Sequence, residues 1–205
     1  MGSALRYRHG IKRALDIALT LMAAPVLVPV VAVLVLLVLT DGHNPFYRQA
    51  RVGRNGRVFG LWKLRSMVPD ADARLASHLA ANPAAKEEWD RTQKLKSDPR
   101  ITPVGRILRA SSLDELPQFW NVLRGDMSLV GPRPMMPSQV RLYPGRAYFD
   151  LRPGITGLWQ VSARNESTFA DRARFDDDYH QRLTLFTDVK ILFATVGVVL
   201  RGTGY

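Results

Sequence analysis

The chain has 205 residues, enough for one domain with an appendage, and 46% of them are hydrophobic. It contains no cysteine, which excludes disulfides, zinc–thiolate sites and thiol nucleophiles. A formal charge of +11 points to an anionic partner: nucleic acid, phospholipid headgroups or a phosphorylated substrate.

The first predicted element is apolar. Ile17 to Leu39 reads IALTLMAAPVLVPVVAVLVLLVL and carries no charge. At about 1.5 Å per residue it just crosses a bilayer core of about 30 Å. Pro25 and Pro29 sit near its middle, and each removes a backbone donor and favours a sharp bend. Basic residues flank both ends: Arg6, Arg8, Lys12 and Arg13 before, Arg48, Arg51, Arg54 and Arg57 after. Positive charge marks the cytoplasmic side. The pattern predicts a helix that enters the membrane, breaks at the prolines and returns, with both termini cytoplasmic. A tilted span with a proline kink is the competing reading. The run is too long for a signal peptide and lacks a small-residue cleavage site.

Asn55-Gly56 then predicts a β-hairpin with strands near Tyr47–Val52 and Val58–Lys63, because both turn residues accept positive φ. Pro69 to Lys96 reads as a solvated helical pair broken at Asn82-Pro83. Thr102-Pro103 opens another helix, with Thr as N-cap and Pro at the first helical position. It places Arg106 and Arg109 on one face, a solvated or headgroup-facing side on the plainest reading. Thr168 to Arg182 reads as a polar helix. Asp188 to Arg201 is too short an apolar helix to span, and suits either the core or the membrane interface.

Several chemistries lack residues. His9, His43, His78 and His180 have no metal-ligand spacing. There is no Gly-x-Ser-x-Gly elbow and no Walker phosphate loop. Carboxylates, guanidiniums and a few lysines remain, an inventory that suits phosphoryl transfer, in which a protein mostly positions charge.

The stretch SSLDELPQFWNVLRGDMSLVGPRP carries the adjacent acids Asp114 and Glu115 and the rigid loop Pro132-Arg133-Pro134. Ser112-x-x-Glu115 is also the capping-box pattern, so both acids can be explained as helix-start residues. On the functional reading, the helix dipole keeps Asp114 ionised, and the carboxylate attacks phosphorus to give an acyl phosphate. Two adjacent anions repel by about 4 kcal/mol at 4 Å and an effective dielectric of 20. Arg133, Lys63 and Arg65 are the candidate cations to cancel that repulsion. Glu115 is the candidate Mg²⁺ ligand. Pro117 predicts a distorted turn at the acids, because its ring clashes with the Leu113 carbonyl.

The chain resembles the bacterial sugar transferase family, the small monotopic phosphoglycosyl transferases. The resemblance runs from Lys12-Arg13 to the end. It rests on KRALDIAL, WKLRSM, DPRITPVGRILRASSLDELPQFWNVLRGDMSLVGPRP and RPGITGLWQVSARN, with two late aspartates. It implies transfer of a sugar 1-phosphate from a UDP-sugar to a polyprenol phosphate, undecaprenyl phosphate in this family, with release of UMP. Asp114 then matches the nucleophile and Glu115 its Mg²⁺-binding partner. Arg133, between Pro132 and Pro134, matches the phosphate-side arginine. Lys63 lines the site, and Asp176 and Asp188 match late acidic positions, for which helix packing or capping is an equal reading. Two departures stand out: Ala24-Pro25 where the family often has Ser-Pro, and Ala163 in place of a loop glycine. The ending resembles members serving exopolysaccharide synthesis.

The expected fold is α+β, mostly helical with a small β-hairpin. Residues 1–42 form a re-entrant membrane helix hairpin, and residues 43–205 a compact cytoplasmic catalytic domain with amphipathic interface helices. The expected partners are a nucleotide sugar, a polyprenol phosphate and membrane lipids at the cytoplasmic face of the inner membrane. Homo-oligomerisation is left open. Nucleic acid is not expected, since the basic residues lack aromatic interleaving. The competing function is a non-catalytic basic module at the membrane surface.

Overall fold

Hydrophobicity decides the largest element. In the computed structural model, which describes residues 7–40, 42–92, 95–162 and 168–200, one helix of 28 residues, α1, spans Lys12–Leu39. Drawn straight it measures about 42 Å. It runs through Pro25 and Pro29 without interruption, so the expected separation into two arms does not appear as a gap in the helix. Leu21, Met22, Val26, Val28, Val33 and Leu36 are 56–69% exposed, an apolar surface with no protein against it. Asp16 and Thr20 near the start, and Leu34 and Val38 near the end, are its buried positions among the described residues.

Both ends of α1 are fastened to the same body. At the start, Arg13 donates to the carbonyls of Val122 and Leu123. Asp16 accepts from the Ser128 hydroxyl at 2.7 Å and the Leu129 N–H at 3.2 Å. Lys12 Nζ lies 2.6 Å from Asp188, which also accepts from the hydroxyls of Tyr7 and Tyr179, each at 2.6 Å. At the far end, the Arg65 guanidinium donates to the carbonyls of Val38, His43, Asn44 and Met67.

These contacts show what two of the candidate residues do in the fold. Arg65 anchors the end of α1, donating to carbonyls of the helix end and the following loop. Asp188 is a buried structural carboxylate that ties α1 to the C-terminal helices. Its partners are hydroxyls and an ammonium of the protein itself.

The hairpin forms where Asn-Gly placed it. Strands β1 (Phe46–Val52) and β2 (Val58–Leu64) pair antiparallel, with Tyr47 opposite Lys63 and Val52 opposite Val58. Asn55 and Gly56 take φ of 57° and 74°, the left-handed values that motivated the prediction. Helices α2 (Ala71–Ala81) and α3 (Pro83–Thr92) follow, separated at Asn82. The Asn82 side chain caps α3 by accepting from the Ala85 N–H. In α4 (Pro103–Ala110), Thr102 Oγ1 accepts from the Gly105 N–H at 2.9 Å, as the Thr-Pro start requires.

The remainder builds the core. Helix α5 (Gln118–Arg124) leads to a parallel pair, β3 (Ser128–Val130) with β4 (Gly154–Thr156). Helices α6 (Ala147–Asp150), α7 (Leu158–Ser162), α8 (Arg172–Gln181) and α9 (Leu185–Leu200) surround it. Val122, Met127, Val130, Tyr179 and Ile191 form the main core, and Leu34, Val38, Leu64 and Leu108 join α1, β2 and α4. Helix α9 buries Asp188 and Ile191 while Phe186 and Phe193 stay exposed, so it serves the core on one face and leaves an apolar face outward. The substituted loop position Ala163 lies outside the described residues.

Removing the Asp188 carboxylate strands a buried ammonium, a change that costs about 3–5 kcal/mol in comparable buried pairs. Asp188→Ala should therefore lower the thermal unfolding temperature sharply in detergent or nanodiscs. Asp188→Asn, which retains an acceptor for the tyrosines, should lower it less.

Candidate active site

Local backbone chemistry places the acid pair. After α4, Ser112 adopts a left-handed conformation (φ 57°, ψ 18°), and Leu113–Glu115 form a single 3₁₀ turn. Pro117 lacks an N–H and would clash with the Leu113 carbonyl in an α-helix, so a new helix, α5, begins just after it. The distorted turn expected from Pro117 is present. The capping box is not. The Ser112 side chain makes no cap bond, and the Glu115 carboxylate turns to Lys63.

Lys63 arrives from β2. Its ammonium lies 2.7 Å from Glu115 Oε1 and 3.6 Å from Asp114 Oδ2. The fully buried side chain of Asn121 holds the two carriers together. Its Oδ1 accepts from the Trp62 N–H at 3.0 Å, and its Nδ2 donates to the Gly60 carbonyl at 2.9 Å. The helix that starts after the acids is thus stapled to the strand that carries the lysine. Burial raises the Asp114 pKa above its ordinary value; Lys63 opposes the rise and Glu115 adds to it. The direction is opposite to the one expected from a helix dipole, because one 3₁₀ turn supplies little dipole and desolvation dominates.

The Pro132-Arg133-Pro134 loop leaves β3 and is held by backbone. Gly131 N–H donates to Thr156 O at 2.9 Å, and Gly154 N–H to Pro132 O at 2.8 Å. These backbones touch so closely that a Cβ on Gly154 would stand 2.1 Å from the Gly131 nitrogen. The Arg51 guanidinium closes the loop from β1, donating to Pro134 O at 3.2 Å. Arg133 lies with its guanidinium carbon 6.0 Å from the centre of the Trp159 ring, and Arg172 lies 4.2 Å from the same ring.

Two guanidiniums therefore flank one indole, and a third, that of Arg51, lies close enough to feel the charge of Arg133. Burial lowers the pKa of Arg51 and of Arg172, the latter to about 10, and the Arg133 charge is the next cause for both. The Glu115 charge acts on Arg51 in the opposite sense, which links the arginines to the acid pair. Asp176 lies one turn after Arg172 on α8. It is buried, accepts from the Tyr143 hydroxyl at 2.7 Å, and is pushed up by burial to about 7.

The structure thus brings together Lys63, Asp114 and Glu115, with Arg133 and its proline-framed loop alongside and Asp176 behind Arg172. It does not bring Arg65 or Asp188 there. Sequence reasoning did not single out Arg51, Arg172 or Trp159. Arg51 was visible only as one of four flanking arginines, and alternation along β1 could have placed it on the strand face of Tyr47.

No group of three or more His, Asp or Glu side chains able to hold a metal occurs among the described residues. Asp114 and Glu115 offer two adjacent carboxylates, both within ion-pair range of the Lys63 ammonium. That donor set fits Mg²⁺ taking its other ligands from phosphate oxygens and water, rather than a metal in an all-protein cage.

Residues 7–202 match the bacterial sugar transferase family. A UDP-galactose-lipid carrier transferase of Erwinia amylovora is 46% identical over 196 residues, 95% of this chain and 41% of that protein. The exopolysaccharide production protein ExoY of Sinorhizobium fredii is 44% identical over 205 residues, 98% of this chain and 91% of that protein. A UDP-glucose:undecaprenyl-phosphate glucose-1-phosphate transferase of Caulobacter vibrioides is 37% identical over 200 residues, 92% and 69% of the two chains. The chain therefore spans less than half of the Erwinia relative and nearly all of the Sinorhizobium one.

The raised Asp176 pKa carries a stability signature. Between its ordinary value and about 7, the folded chain holds a proton that the unfolded chain releases. Stability contributed by this group therefore falls as pH rises through that window and is level above it. Melting temperatures measured from pH 5 to pH 8 should show wild type losing ground to Asp176→Asn, which keeps an acceptor for Tyr143 but no titratable proton.

Proposed function

The chain belongs to the bacterial sugar transferase family, and from that premise we propose that it is a phosphoglycosyl transferase moving a sugar 1-phosphate from a UDP-sugar to a polyprenol phosphate, of the undecaprenyl phosphate class, at an early membrane step of exopolysaccharide or glycoconjugate assembly. The observation that carries the reading is the Lys63 ammonium between Asp114 and Glu115, with Arg133 and its neighbours close by.

The proposed chemistry is two displacements at one phosphorus. A carboxylate oxygen of Asp114 bonds to the sugar-bearing β-phosphorus. The bond from that phosphorus to the bridging oxygen breaks, and its electron pair leaves on UMP. The polyprenol phosphate oxygen then bonds to the same phosphorus, the acyl-phosphate bond breaks, and the Asp114 carboxylate returns. Lys63 favours the ionised carboxylate that the first step needs and offsets its repulsion with Glu115. Arg133 meets the phosphate oxygens with a planar fork of donors. Mg²⁺, held by Glu115 and the substrate phosphates, would supply charge neutralisation during transfer. The competing view, in which Asp-Glu only caps a helix, is weakened by the left-handed Ser112 without a cap bond.

Helix α1 supports placement of this site at the membrane. Its exposed apolar middle suits lipid, and its two ends meet one body. That combination favours a re-entrant helix with the site at cytoplasmic headgroup level, where a soluble donor meets a lipid acceptor.

Incubation with Mg²⁺ and a UDP-sugar radiolabelled in its β-phosphate should leave label on the wild-type chain and none on Asp114→Asn. Unchanged nucleotide release by Asp114→Asn would refute the nucleophile assignment. Glu115→Gln should slow UMP release by about 100-fold or more, as loss of several kcal/mol of charge stabilisation predicts. For topology, cysteines introduced singly at Gly2 and Gly204 of this cysteine-free chain should both be labelled from the cytoplasmic side. Labelling from opposite sides would exclude the re-entrant helix.

A further inference from the structure

We propose that Arg51 and Arg172 complete, with Arg133, a phosphate-monoester subsite occupied in turn by the departing nucleotide and by the entering lipid acceptor. The inference rests on the transferase reading above and deepens it. Its starting point is an excess of positive charge with donors to spare. The Nε–H of Arg51 and that of Arg172 are buried and have no hydrogen-bond partner. Arg172 lies against two rings, 4.2 Å from Trp159 and 4.8 Å from Phe169, which leaves its guanidinium edge as the polar side. Arg51 is steered by Gln49 Oε1 at 2.6 Å and Pro134 O at 3.2 Å.

Little in the protein neutralises this cluster. Glu115 reaches Arg51 through space but holds Lys63 directly. Asp176, near Arg172, is buried and bonded to Tyr143. Three mutually repelling guanidiniums, two of them with an unused buried Nε–H, match an anion of charge near −2 that offers several acceptor oxygens. A phosphate monoester has that charge, and guanidinium forks fit its geometry.

Stereochemistry then supplies the occupants. In an in-line displacement, the nucleophile and leaving group lie on opposite sides of phosphorus. With Asp114 on one side, UMP must leave from the other. The lipid phosphate that later expels Asp114 must enter from that same other side. One phosphate position therefore serves both half-reactions, and a single arginine cluster is enough to fill it.

The test uses the full chain in nanodiscs. UMP is titrated calorimetrically into wild type, Arg51→Gln, Arg172→Gln and the two Lys versions. Preformed phosphosugar-enzyme, labelled in its phosphate, is chased with UMP in one arm and with undecaprenyl phosphate in the other. Each Gln change should weaken UMP binding about tenfold or more and slow both chases by a similar factor, as loss of a charged hydrogen bond predicts. The Lys versions should recover part of both, and melting temperatures should stay close to wild type. Unchanged UMP affinity overturns the subsite. Weakened UMP binding with a normal lipid chase overturns its shared use. If the Gln variants fail to fold, the Lys variants are judged by the same two criteria, since they keep charge and lose the fork. A wild-type chain that binds UMP through these arginines but never accumulates label would instead sink the transferase reading and leave the phosphate site standing.

Discussion

The ammonium of Lys63, 2.7 Å from one carboxylate and 3.6 Å from its neighbour, is the interaction on which the site depends. Two adjacent acids do not remain charged side by side in a partly desolvated turn unless a cation is fixed between them. Fixing it requires more than a nearby lysine. The β1–β2 register sets where Lys63 projects, and Asn121 bonds the backbone of β2 on both sides of Leu61. Because α5 begins immediately after the acids, the same asparagine also fixes the turn that carries them. One buried amide thus aligns both partners of the ion pair.

Burial of charge has two separate uses in this chain. Around α1 it is structural: Asp16, Asp188 and Arg65 are saturated by hydroxyls, an ammonium, or backbone groups of the protein itself. Among Arg51, Arg133 and Arg172 it is incomplete: the Nε–H groups of Arg51 and Arg172 have no acceptor, and the neighbouring guanidinium charges repel one another. Completeness of hydrogen bonding, more than burial itself, separates the residues that hold the fold from those available to a ligand.

Much of the fold was legible in local chemistry. Asn55-Gly56 announced the hairpin, Asn82-Pro83 the helix break, and Thr102-Pro103 the start of α4, each by a backbone constraint contained within a few residues. Pro117 likewise announced a distorted turn. What escaped was set by distant partners. Arg65 follows Lys63 by two residues and shares its strand parity, yet it meets the carbonyls at the end of α1. Ser112 and Glu115 have capping-box spacing, but a left-handed Ser112 and the pull of Lys63 prevent the box. The parallel strands β3 and β4 have three residues each, too few for a periodic signal. Arg51 and Arg172 interact electrostatically although they stand far apart in the sequence, so no local pattern could pair them.

The double fastening of α1 bears on how the protein can be handled. Excising that helix to obtain a water-soluble fragment would remove more than a greasy anchor. It would take Lys12 from Asp188, Asp16 from Ser128 and Leu129, and the Val38 carbonyl from Arg65, while uncovering Leu64 and Leu108. The remaining body would hold newly orphaned charges beside a bare apolar cleft. For this chain the exposed apolar helix is part of the folding unit, and crystallisation or screening campaigns need an amphiphile from the first step.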